Sequence, residues 1–172
     1  MLLRVQWFCQ IADGLELVRK NRPALQIVFL VALAEGIAKQ RVGKKMGSFL
    51  GIKEFFKKYI NASDKKHLEH SFRRSITGPR LHKLTFTSQL RILYEVRNRV
   101  VHGEEFWVFF FMGKKEKERY IKEKFTDYAH LTEGWLGKQN RKRRVSLEMT
   151  LTYEEFKNIV IRTAIANINA VA

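Results

Sequence analysis

The sequence predicts a mainly α protein: a single-domain helical bundle with a small antiparallel β element and a C-terminal helix. Three observations lead there. Apolar residues recur at helical spacing through the first hundred positions. One of those segments, Ala24–Gln40, is apolar on nearly all sides, which marks a central buried helix. The last seventy residues then change character, with a period-two stretch followed by a helix-start signal. Residues 1–105 hold the bundle and 106–172 the β element and closing helix, with no Gly/Ser or Pro-rich linker between them.

In chain order, Leu3–Asn21 carries Val5, Phe8, Cys9, Ile11, Ala12, Leu15 and Val18 at helical spacing. Pro23 stands where a helix start tolerates a missing N–H. Gly51–Ile60 and Asp64–Ile76 are shorter amphipathic segments, and Thr77–Pro79 is a break. Ser88–His102 is a strong helix ended by Gly103 in the usual C-cap position. Phe106–Met112 has the aromatic look of a strand, and Arg144–Leu151 alternates Val145, Leu147, Met149 and Leu151. Thr152 with Glu155 three residues on forms a capping box for a final helix over Tyr153–Ile168.

Composition narrows the function classes. The chain has 172 residues, 45% hydrophobic, enough for one buried core. Its single cysteine, Cys9, forms no intramolecular disulfide and no Cys-rich zinc site, which fits a reducing, cytoplasmic setting. The apolar runs between Arg22 and Glu35 and over Phe106–Met112 are too short to span a bilayer, so no membrane role is expected. Lys and Arg outnumber Asp and Glu 33 to 17, a net charge of +16 that attracts polyanions. Thirteen Lys/Arg against three acids place +10 of it between Lys39 and Lys83. Candidate polyanion-binding residues there are Lys44, Lys45, Lys57, Lys58, Lys65, Lys66, Arg73 and Arg74. A second patch holds Arg141, Lys142, Arg143 and Arg144. Phosphate contacts from both would give sequence-independent affinity that falls with salt.

The chemistry concentrates in Gln89–Gly103. On a helical wheel its apolar residues fill an arc of roughly 200°. That width suggests packing on a second copy as well as on its own bundle. Arg97 falls inside the arc and, always charged, needs a partner. Asn98, His102 and Glu95 lie on the polar border. Alone, Arg97 reads equally as half of a buried ion pair, and His102 as a favourable charge at a helix C-terminus. Arg91 and Arg99 read as surface partners of Glu95. His67 and His70 have a metal-compatible spacing but no completing ligand set, so a solvated basic helix is the better reading.

The run Arg97-Asn98-Arg99-Val100-Val101-His102 resembles the Rx4H motif of the HEPN superfamily, and Gly103 fits a helix stopping just after the histidine. Leu33-Ala34-Glu35-Gly36-Ile37 is similar to an earlier family helix that often carries an acidic or polar residue. The resemblance covers about residues 20–105 and implies a HEPN-like bundle, usually a homodimer with motif helices at its interface. It further implies a metal-independent endoribonuclease, a hydrolase of RNA that needs no cofactor. The 2′-hydroxyl attacks its own 3′ phosphate, leaving a 2′,3′-cyclic phosphate and a 5′-hydroxyl. His102 would move the proton, Arg97 would hold the charge of the phosphorane, and Asn98 would orient His102 or a phosphate oxygen. Glu35 and Glu95 are supporting candidates, Glu35 as the partner that aims Arg97. The alternative is a non-catalytic, dimeric RNA- or nucleotide-binding module. Further partner classes are an antitoxin and a larger nucleic-acid-processing enzyme.

Overall fold

The protein is described from a computed structural model, over residues 1–18, 23–42, 46–74, 85–102, 109–111 and 147–170. Six helices dominate: α1 (Leu2–Val18), α2 (Pro23–Val42), α3 (Ser48–Tyr59), α4 (Ala62–Ser71), α5 (Phe86–Val101) and α6 (Tyr153–Asn169). The chain is mainly α, as its apolar spacing predicts.

The central position expected for α2 is what the structure shows. Ile27, Leu30, Val31, Leu33, Ala34, Ile37 and Ala38 are all buried, and α1, α3, α5 and α6 pack around it. Phe55 and Phe56 of α3 fill the core edge to face, with ring centroids 5.0 Å apart. From α6, Phe156, Ile159, Val160 and Ala164 close it. The capping box that opens α6 is present: Glu155 N donates to Thr152 Oγ1 (3.2 Å) and Thr152 N to Glu155 Oε2 (2.8 Å).

Two expectations are corrected. The helix predicted over Asp64–Ile76 ends at Ser71, because Phe72–Arg74 (β1) leaves it to pair with a distant segment. An antiparallel element built from the two predicted strands is not found among the described residues. Of the described residues in the predicted segments, Phe109–Phe111 (β2) and Leu147–Met149 (β3) are extended, and they run parallel over three residues. The antiparallel neighbour of β3 is β1, with Phe72 opposite Met149. Alternation specifies which side chains face the core, and Met149 and Leu151 are indeed buried, but it names neither partner nor direction. The predicted break at Thr77–Pro79, Gly103 after the motif helix, and residues 106–108, 112 and 144–146 of the predicted strands lie outside the described residues.

The apolar arc of α5 is also taken up differently. Leu90, Ile92, Leu93 and Val96 are buried within the one chain, and only Val101 of the arc is exposed. Its width therefore reflects packing on more than one element of its own bundle, α2 and α3 among them, and does not require a second copy.

Candidate functional site

The edge where α5 meets α2 collects the charged residues of interest. α5 begins at a Thr85 cap, whose Oγ1 accepts from Ser88 N at 3.2 Å. It ends at His102, whose backbone N–H donates to Asn98 O at 2.9 Å. Leu90 and Leu93 pull the inner face into the core, which carries Arg97 to the border and leaves His102 in solvent.

Arg97 finds the acid expected for it. Its Nη2 lies 3.3 Å from Glu35 Oε2, and its Nη1 donates to Asn98 Oδ1 at 2.8 Å. Glu35 is only 7% exposed, yet it sits among cations. Lys39 Nζ donates to its Oε1 at 2.5 Å and reaches Ser48 Oγ at 3.3 Å. Burial pushes the Glu35 carboxyl up. Hydrogen bonds from Lys39 and Ser48 and the charges of Arg97 and Lys39 outweigh that, so the net shift is downward and the group stays ionised.

The set is not fully satisfied. Arg97 Nε and Glu35 Oε2 are both buried without a hydrogen bond, although the ion pair passes between the two side chains. A guanidinium has five donors in a planar fork. Here each terminal nitrogen has one partner and keeps a second N–H, while Nε is buried with none.

Glu35, Arg97 and Asn98 are thus brought together, while His102 stands apart at the helix end with no hydrogen bond or ion pair to either Arg97 or Asn98 side chain among the described residues. Asn98 Oδ1 is engaged by Arg97, so that oxygen does not orient His102. Glu95 is half-buried and has no charged partner among the described residues. Of its two expected partners, Arg91 lies over the Phe49 ring at 4.3 Å, with Phe49 packed on Tyr94 at 5.6 Å, and the Arg99 side chain lies outside the described ones.

Of the basic candidates, Lys57, Lys58, Lys65 and Lys66 are exposed on α3 and α4. Lys58 and Arg41 both flank the Tyr59 ring, at 5.8 and 4.7 Å, and Lys65 lies 5.6 Å from the Phe86 ring. Arg73 and Arg74 are in β1, placed by backbone alone. Lys44, Lys45, Arg141, Lys142, Arg143 and Arg144 lie outside the described residues. His70 Nδ1 meets its own helix at Lys66 O, 2.6 Å away, and His67 is exposed.

Sequence reasoning missed Lys39 and Ser48. The four-residue spacing from Glu35 to Lys39 on one helix was a readable signal. Ser48 approaches only because α3 folds back on α2, so that a Cβ on Gly51 would meet Glu35 at an ordinary van der Waals distance, 3.6 Å.

Among the described residues no helix is long and apolar enough to cross a membrane. Compared with family models, with curated proteins and with solved structures, the chain finds no match in any of the three.

Proposed function

We propose that this chain is a metal-independent endoribonuclease of HEPN type, dimeric in its active form and working in a reducing, cytoplasmic setting. The observation that carries the reading is the partly committed guanidinium of Arg97. It is fixed by Glu35 and Asn98 at the surface edge of α5, with donors left over, on the same motif as a solvent-facing His102.

The chemistry follows from those groups. His102 takes the proton of the 2′-hydroxyl, and that oxygen bonds to the adjacent phosphorus. The bond from phosphorus to the 5′ oxygen breaks, and His102 returns the proton, directly or through water, to the leaving oxygen. A 2′,3′-cyclic phosphate and a 5′-hydroxyl result, with no net change in protons. The added charge on the phosphorane oxygens meets Arg97, whose planar fork suits two of them at once. Glu35 keeps Lys39 as partner while Arg97 turns to phosphate, so the acid is not left unpaired. The exposed lysines of α3 and α4 gather RNA by charge.

The test is cleavage of end-labelled single-stranded RNA in EDTA by wild type, Arg97→Ala and His102→Ala. Cyclic-phosphate ends from wild type and from neither variant are the expected result. Cleavage that survives His102→Ala overturns the site. One observation favours a second reading, a dimeric RNA-binding module without cleavage. Both terminal nitrogens of Arg97 already have partners, and His102 touches neither the Arg97 nor the Asn98 side chain. RNA bound but not cut by wild type decides for it.

A further inference from the structure

The most exposed apolar surface in the described residues is not on α5 but on α1. Leu3, Trp7, Leu17 and Val18 are 81, 58, 88 and 83% exposed. On a helical wheel these four and Gly14 fall within about 100° of one another, opposite the face that buries Val5, Cys9 and Ala12. α1 is apolar on two faces, the outer one interrupted by Gln10, and the bundle uses the inner one. Trp7 is not loose: its ring stands edge-on to Phe8 at 5.3 Å, and Phe8 packs on Phe29 of α2.

Gly14 is the second observation. Glycine inside a helix is destabilising relative to alanine. Nothing among the described residues uses the space it leaves, since a Cβ there would meet no atom within 4 Å. The gap faces outward, seven residues from Trp7, two turns along the same stripe.

We propose that α1 is the contact face of a homodimer. Two copies of the helix pack antiparallel, so that Trp7 of each chain enters the gap over Gly14 of the other. A two-fold contact requires that if residue i meets j, then j meets i. About one axis between residues 10 and 11, Leu3 meets Val18, Trp7 meets Gly14 and Gln10 meets Ile11, each pair reciprocal, while Leu17 meets the stem of Arg4 at the rim. The area is of the right order. Leu3, Trp7, Leu17 and Val18 expose on the order of 600 Å² per copy, against about 800 Å² per partner in a standard interface. Charge does not oppose it: Leu3, Trp7, Gln10, Gly14, Leu17 and Val18 carry no charge in a chain of +16, so the contact joins none of the basic surfaces. This contact lies on α1 and not on the motif helix α5, so it is separate from the motif-helix pairing that the HEPN resemblance implies, and it does not depend on RNA cleavage.

Sedimentation equilibrium of the full chain from 1 to 100 μM tests it. Wild type should show twice the 20.3 kDa chain mass at the upper concentrations. Trp7→Ala should weaken the dimer at least tenfold. Gly14→Leu should do the same while leaving thermal unfolding of the monomer unchanged or raised, because leucine favours the helix and finds open space there. That combination of a sounder helix and a weaker dimer has no explanation inside one chain. Ile165→Asp, an exposed apolar position on α6, should leave the dimer intact. A wild-type chain monomeric at 100 μM overturns the proposal, whether the face is bare or covered by another segment of the same chain. So does a dimer that neither α1 variant weakens. A dimer that fails to cut RNA sinks the proposed function and leaves this inference standing.

Discussion

Among the described residues two arginines meet nearly buried carboxylates, and they meet them differently. Arg162 of α6 closes a complete fork on Asp64 of α4, with Nε to Oδ2 at 2.8 Å and Nη2 to Oδ1 at 2.7 Å. Asn61 donates to the same carboxylate at 2.7 Å. Arg97 makes one longer contact with Glu35, shares that acid with Lys39, and leaves Nε without a partner. A filled bidentate pair fixes two elements and has nothing further to offer a ligand. A positioned but under-filled arginine retains the donors that recognise phosphate. By this contrast Arg162 is a fastener between α4 and α6, and Arg97 is the reactive candidate.

The largest expected effect tests that division directly. Arg97→Lys keeps charge but loses the fork, and should lower RNA cleavage by about 100-fold or more with little change in melting temperature. Arg162→Lys should leave cleavage intact. The reverse outcome, a stability loss without a cleavage loss at Arg97, breaks the contrast.

Next comes Glu35→Gln. It removes the common acid of Lys39 and Arg97 and should cost roughly 2 kcal/mol in urea unfolding, below the usual figure for a fully buried pair because Lys39 is partly in water. Asp64→Asn should cost about 1–2 kcal/mol at neutral pH, discounted because the Arg162 side chain is half exposed.

The pH dependence has a fixed sign. Arg162 and Asn61 hold the Asp64 carboxyl below its ordinary value against the opposing effect of burial. Its stabilisation is therefore fully present above the unfolded carboxylate range, near pH 4, and is lost as pH falls through the lower folded value. Glu35 behaves alike, since its net shift is also downward. Urea unfolding followed from pH 6 to pH 2 should show a shallower acid-side loss in Asp64→Asn than in wild type.

Thr152→Ala removes the α6 cap at about 1 kcal/mol and should leave cleavage alone. The smallest effect on stability is expected of Lys57→Ala with Lys58→Ala, within about 0.5 kcal/mol. The pair should instead flatten the salt dependence of RNA binding, by a slope of about one for each phosphate no longer neutralised.

How much of this was legible in the sequence varies with the range of the interaction. The capping box at Thr152 and Glu155 depends on four consecutive residues and reads off directly. The all-round apolar α2 announces its central place. Arg97 within an apolar arc demanded an acid, and Glu35 was the acid available on the buried helix. The fork between Asp64 and Arg162 joins residues 98 apart and leaves no trace in local pattern, because exposed charges occur everywhere on a basic chain. The early end of α4 at Ser71 is likewise set by a strand from the far end of the sequence. The double apolar character of α1 was in the sequence all along, but which face the bundle takes is settled only by packing.

Cys9 has a practical consequence. It is the sole thiol in the chain, lies buried on the inner face of α1, and has its pKa pushed up by that burial and by the nearby charge of Asp13. A thiol in that state stays protonated and shielded at neutral pH, a poor target for alkylating dyes. A fluorophore or spin label can therefore be attached through a new cysteine at any exposed position, with the native residue left in place and the core undisturbed.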